Sequence, residues 1–236
     1  MSEGTYTPPP YQPPPTYNPP PPQQPGGSFD FAKPFTFVFE DPNWLKKILM
    51  GGLFFIAIIF FFIGLPFCLG YYAQLTRNIL EGKQYPLPEW DNLGDYFSEG
   101  LRLIGVALVW TLPVVVLCML VVIPIAMMSA TDSDAARGIG GAFVSIIYCV
   151  QFPVSLILRF VIPIALLRAI VEQRFGAGVE VGRIWAMIKG NFMNFFLAFL
   201  VSFIGGFAAA IGVIACIIGV FFTAFWSQLI TAHGYA

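Results

Sequence analysis

Charge is the scarcest commodity in this chain. Of 236 residues, 11% are Asp, Glu, Lys or Arg and 57% are hydrophobic; soluble globular domains carry roughly 25% charged residues. A soluble core cannot hide so much apolar surface. There is one histidine, His233, and no Ser, Cys, Asp or Glu stands at motif spacing from it, which argues against a histidine-centred catalyst or metal ligand. The four cysteines, Cys68, Cys118, Cys149 and Cys216, are far apart and unpaired in spacing, so they read as small buried hydrophobes and imply neither zinc, redox chemistry nor an oxidising compartment. A net charge of -1 offers no basic face for nucleic acid. No enzymatic activity and no cofactor is therefore expected.

What replaces charge is apolar length. Four blocks contain no Asp, Glu, Lys or Arg: Ile48 to Thr76, Leu103 to Thr131, Gly138 to Leu158 and Gly190 to Ala232, of 29, 29, 21 and 43 residues. A hydrocarbon core of about 30 Å needs about 20 apolar helical residues, so each block is long enough to cross a bilayer. The fold class expected is an all-α integral membrane protein, a bundle of about six transmembrane helices with interfacial amphipathic helices. Acids within a bilayer mark proton relays and ion paths, and none of these blocks holds one.

Residues 1–28 form a separate region, expected to be a disordered cytoplasmic tail. Eleven of the chain's 20 prolines fall there, with Tyr6, Tyr11 and Tyr17 between them. Proline lacks a backbone donor and fixes φ, so an extended polyproline II segment is expected. Pro8, Pro9, Pro10 and Tyr11 match a ligand pattern for aromatic-lined WW-type grooves, which nominates the tail as a docking site for a protein partner. The stretch resembles no signal peptide, so the first membrane helix is expected to direct insertion.

Residues 29–236 form the membrane domain, with spans expected at about 42–63, 65–80, 103–128, 138–160, 190–208 and 211–232. Asp41-Pro42 reads as an N-cap followed by a first-turn proline, and Trp44 as an interfacial anchor. Gly64-Leu65-Pro66 interrupts the first block, which is then either one kinked helix or a hairpin. Basic residues arbitrate, because cytoplasmic loops carry the excess of Lys and Arg. A hairpin puts eleven of the twelve on one side, leaving Arg137 alone outside; a single helix splits them four against eight. The hairpin is preferred, with both termini in the cytoplasm. The 43-residue block is expected to turn at Gly205-Gly206 or at Gly212.

Between the second and third spans, Pro86-Leu87-Pro88-Glu89-Trp90 is rigid and ends in an interface-seeking Trp. Asp91 or Asn92 then caps a helix that places Leu93, Tyr96, Phe97, Leu101 and Ile104 on one face. Asp91, Asp95 and Glu99 read as a solvated acidic face rather than a cation site. The run Gly70-Tyr71-Tyr72 through Arg77-Asn78 and Gly82, into Pro86-Leu87-Pro88-Glu89-Trp90-Asp91 and Phe97-x-x-Gly100-Leu101, resembles a family of prokaryotic multi-pass membrane proteins, domain-of-unknown-function family 4013. The resemblance runs from about Phe35 to the C-terminus. It implies a prokaryotic membrane location and supplies no activity or catalytic residue; the cytoplasmic membrane is the location expected.

A second amphipathic connection is expected from Arg168 to Lys189. Arg168 and Glu172 stand four apart, and Val181, Ile184, Trp185 and Ile188 form an apolar stripe. The basic residues Arg159, Arg168, Arg174, Arg183 and Lys189 are suited to fixing orientation or attracting anionic headgroups. Arg159, between Leu158 and Phe160, and Gln74 are the candidates for a pathway or headgroup contact. Gln74 and Gln228 lie in similar local sequences, which hints at a duplicated hairpin. The functional reading is a non-enzymatic membrane bundle that organises partners or lipids through its tail and cytoplasmic face; the alternative is a transporter or permease-like module for a small or lipidic solute.

Overall fold

A computed structural model describes residues 30–130, 133–215 and 219–236. The proline tail with Pro8, Pro9, Pro10 and Tyr11, together with Phe29, Asp132 and Cys216, lies outside the described residues. The rest is helical: α1 (Lys33–Thr36), α2 (Trp44–Phe61), α3 (Gly64–Leu80), α4 (Leu93–Ser129), α5 (Asp134–Val171), α6 (Val181–Gly190), α7 (Phe192–Ala215) and α8 (Gly219–Tyr235), with short 3-10 turns after α1 and α5. No strand occurs among the described residues.

The first block is a hairpin. Phe62 caps α2 in the left-handed conformation (φ 54°), its N–H donating to the Ile58 carbonyl. The reversal falls two residues before the Gly64-Leu65-Pro66 break, and Pro66 sits inside the first turn of α3, where its missing N–H breaks no helical bond. Gly64 lets the arms close, since a Cβ there would fall 1.8 Å from the Phe54 carbonyl oxygen. Phe54 and Phe67 stack across the arms at 4.9 Å.

Helices α4 and α5 form a second hairpin, with Gly140 against Met128 and Gln151 Nε2 donating to Cys118 Sγ at 3.3 Å. Ser133 caps α5, its hydroxyl accepting from the Ala136 N–H. The amphipathic segment after Trp90 and the third span are one continuous helix of 37 residues, about 55 Å long. Its buried stripe is Tyr96, Gly100, Leu103 and Val106, whereas Leu93, Phe97 and Leu101 are exposed. The face is rotated from the expected one because Gly70 and Gly100 set the crossing: a Cβ on Gly70 would meet the Tyr96 carbonyl oxygen at 2.0 Å, and one on Gly100 the Pro66 oxygen at 1.8 Å.

The last block is a third hairpin, yet it does not turn at its glycines. Helix α7 runs unbroken through Gly205, Gly206 and Gly212 to Ala215, and the reversal to α8 falls after it. Gly205 instead packs against Ile230 and Ser227 of α8, and the Thr223 hydroxyl donates to the Ala209 carbonyl at 3.0 Å. Phe222 and Phe225 of α8 then occupy the space left by Gly52 and Gly51, closing the bundle onto α2.

Among the described residues α4 and α5 are each long and apolar enough to cross a membrane, and α6 with α7, bent by 95°, makes a third such unit. Helices α3 and α8, of 17 residues each, rise about 26 Å, slightly under a 30 Å hydrocarbon core. The antiparallel hairpins leave residues 81–92, residues 172–191, the segment before α2 and the C-terminus at one end. Phe37 and His233 touch there, ring centroids 4.6 Å apart. Asp134 and Arg137 stand at the other.

Candidate functional site: the charged end of the bundle

The Pro86–Trp90 segment is the centre of a clasp. Two prolines deprive it of donors and prevent it from pairing with itself, so its carbonyls need partners from elsewhere. Four successive carbonyls find them: Asn78 Nδ2 donates to Pro86 O (2.7 Å), Lys47 Nζ to Leu87 O (2.9 Å), the Tyr71 hydroxyl to Pro88 O (3.0 Å) and the Tyr96 hydroxyl to Glu89 O (2.6 Å). The donors come from α2, α3 and α4, so the loop ties three helices together. Burial first, then the carboxylates of Asp91, Glu89 and Asp95, pushes the Tyr96 phenol up to about 12, which keeps it a donor.

Lys47 also makes ion pairs with Asp41 at 2.8 Å and Glu89 at 2.7 Å, and is itself only 4% exposed. Asp41 was expected to cap the first helix. It sits three residues earlier than α2 instead, one carboxylate oxygen accepting from the Asn43 N–H at 2.7 Å and the other facing Lys47. Trp90, expected at the lipid interface, is drawn inward: its ring stacks between Tyr71 (4.3 Å) and Phe54 (4.8 Å), and its Nε1–H donates to the Lys47 carbonyl. An open pocket of about 270 Å³ lies beside it, lined by Lys46, Lys47, Met50, Glu89, Trp90 and Asp91.

Beyond the clasp, Glu99 receives both Arg77 and Arg102, and Arg102 Nη1 donates to the Gln173 carbonyl at 2.7 Å. Glu99 therefore leaves the acidic face expected for it. No cluster of three or more His, Cys, Asp or Glu suited to a metal occurs among the described residues. Gln74 is held within this network, donating to Asn78 Oδ1 at 3.0 Å and accepting from Arg77 at 3.3 Å. Gln228 does something different, donating across to the Cys68 carbonyl of α3. The two glutamines thus have unlike partners despite their similar sequences.

The connection after α5 is a strap rather than one amphipathic helix. Gln173 takes a positive φ of 50° and ends α5, and a 3-10 turn (Phe175–Val179) precedes α6. Gly178 is pressed against Val106, and Trp110 Nε1 donates to its carbonyl at 2.7 Å. Arg168 reaches Glu172 as expected, through Nε at 3.0 Å, and Glu180 at 3.1 Å; Arg174 binds both acids and Arg183 binds Glu180. Hydrogen bonds from Arg174 and then Arg168 hold the Glu172 carboxyl down at about 2. Of the apolar stripe, Ile184 and Ile188 are buried while Val181 and Trp185 face outward.

Three of the five basic residues in this region are thereby engaged with Glu172 and Glu180. Arg159 and Lys189 have no carboxylate partner among the described residues: Lys189 lies over the Trp185 ring at 5.5 Å, and Arg159 over Phe203 at 5.8 Å. Gln74 and Arg159 share no partner. The sequence could have offered Lys47 and Asp41, which stand just before the first block, but Lys46 and Glu40 stand beside them, and the burial that singles out the pair depends on a loop forty residues away.

Against known proteins, no curated protein and no solved structure matched the chain. A family profile did, over residues 53–219, a region that takes in the clasp loop, both long helices and the strap but begins later than Phe35. With more than half of its length matched, the chain belongs to the family described as protein of unknown function, DUF4013.

Proposed function

We propose that this protein is a six-span bundle of a prokaryotic cytoplasmic membrane, with both termini in the cytoplasm, that acts without enzymatic chemistry by displaying its proline-rich segment to a protein partner. The observation that carries this reading is the partition of charge. Among the described residues every Lys and Arg except Arg137 and Arg159 lies in or beside the segments gathered at one end. Excess Lys and Arg marks the cytoplasmic side. Reporters fused after Gly94, Asp134, Ala177 and Ala236 test it: Asp134 alone must report outside, and an outside signal at Gly94 or Ala177 ends the six-span reading. Removing residues 1–28 and comparing crosslinked partners tests the tail, whose recruiting role is lost if the partner set is unchanged.

The transporter reading would use the α2–α3 break and the polar groups within the spans. Gln74 and Gln228 have partly buried partners on neighbouring side chains and helices, and Gln151 donates to Cys118 on the exposed side of the α4–α5 hairpin, which favours packing roles for them. A solute that stabilises the purified protein against heat would favour transport instead.

A further inference from the structure

We infer that Arg159, with the α7 face beside it, is a binding site for the anionic head of a membrane amphiphile, specifically a lipid phosphate. The inference rests on the membrane-spanning reading. Arg159 is the one charged residue between Arg137 and Arg168. Its guanidinium points toward the middle of α7: Cζ lies 5.8 Å from the Phe203 ring centroid, and a Cβ on Gly206 would come within 3.2 Å of Nη2. Phe203 and Gly206 stand eleven and fourteen residues beyond Phe192, about 17–21 Å along α7 from its elbow with α6. Helical side chains lean toward their own N-terminus, and that of α5 lies at the sparsely charged end, so the backbone carries this guanidinium inward.

No carboxylate among the described residues neutralises it. Arg159 has no ion pair and no hydrogen bond among the described residues, and the charge-free blocks hold no carboxylate that a second copy could bring to this depth. An unpaired guanidinium in hydrocarbon is costly, so the counter-charge comes from outside the chain. The planar guanidinium, with its fork of N–H donors, suits a phosphate oxyanion. Exposed apolar side chains flank the site, Leu156 and Ile157 on α5 and Phe203 and Phe207 on α7, and offer walls for acyl chains. A small hydrated anion has no use for such walls.

The test uses the full-length protein in detergent, titrated with phosphatidylglycerol, phosphatidylcholine of the same acyl chains, or inorganic phosphate, and reads retained lipid by native mass spectrometry. Wild type is expected to retain phosphatidylglycerol at least tenfold over phosphatidylcholine. Arg159→Gln should reduce that preference below twofold, and Gly206→Val, which keeps the charge but fills its niche, at least threefold. Lys33→Gln, which removes an exposed surface cation, should leave it as in wild type. Equal preference in wild type and Arg159→Gln overturns the site, as does an equal loss in Lys33→Gln. Displacement of phosphatidylglycerol by millimolar inorganic phosphate overturns the lipid as occupant. Should Arg159→Gln not fold, Gly206→Val decides the matter, and full retention in that variant refutes the site. Absence of wild type from the membrane fraction would refute the membrane reading itself and is scored separately.

Discussion

Replacing Lys47 by Met should loosen the whole charged end, because the methionine keeps most of the stem and removes only the ammonium. Three contacts are lost, to Asp41, Glu89 and the Leu87 carbonyl. They are not equivalent. Glu89 is 51% exposed and can be hydrated, so its share is about 0–1 kcal/mol. Asp41 is 2% exposed and would be left as a buried charge without its partner, which costs about 3–5 kcal/mol. The orphaned Leu87 carbonyl adds roughly 1 kcal/mol. The total, about 4–7 kcal/mol, corresponds to a fall in thermal midpoint of roughly 8–28 °C for a chain of this size. Unfolding of the detergent-solubilised protein, followed by tryptophan fluorescence, measures it directly, since Trp90 is bound to the Lys47 carbonyl. Adding Asp41→Asn to Lys47→Met should recover about half of the loss by removing the stranded charge, whereas Glu89→Gln alone should move the midpoint by no more than a few degrees. A Lys47→Met midpoint within 2 °C of wild type, or a Glu89→Gln effect equal to it, would refute the reasoning.

Trp90→Ala should cost about 3–5 kcal/mol through the lost stack on Tyr71 and Phe54, and Trp90→Phe clearly less; equal losses in the thermal midpoint would show that the Nε1–H bond, not the ring, carries the effect. Gly100→Val should separate α3 from α4, because its side chain would meet the Pro66 backbone, which cannot rotate away; normal yield and monodisperse elution would contradict the close crossing. Glu172, held at about 2, contributes stability that is fully present above its unfolded value near 4.3 and is lost as pH falls through 2. Between pH 4.5 and 2 the thermal midpoint of wild type should therefore fall more steeply than that of Glu172→Gln, and parallel slopes would rule the ion-pair strap out as an acid-sensitive element.

The hairpins were legible because their signals are local. Pro66 within an apolar run forces a choice that Lys and Arg positions resolve, and Phe62 supplies the reversal within two residues of the expected place. Ser145 and Ser202 satisfy their hydroxyls on their own helix, as side chains of this kind do in apolar surroundings. The misplacements have one cause in common. Gly205 and Gly206 look like a turn in sequence but serve close packing against α8 and room for Arg159, and only the partner helix distinguishes the two uses. Trp90 looks like an interfacial anchor until Tyr71 and Phe54 enclose it. The expected Arg168 to Lys189 helix breaks where Gln173 leaves the helical region and Gly178 docks on Val106, a contact between residues 72 apart.

The limits of the family match sharpen what holds the bundle together. The match opens within α2 at Leu53 and closes at Gly219, the first residue of α8. It therefore contains the clasp loop and three of its four side-chain donors, Asn78, Tyr71 and Tyr96, but not Lys47 or the Asp41 that balances it. It also omits Phe222 and Phe225, which fill the space above Gly52 and Gly51. A fragment cut at residues 53 and 219 would retain one complete hairpin, α4–α5, yet lose half of α2, the cation at the centre of the clasp and the helix that seals α2. Such a fragment would leave the carbonyl of Leu87 uncovered, while the buried core runs on either side of it, from Phe37 to Tyr235. The region that carries the family likeness is therefore shorter than the packed core.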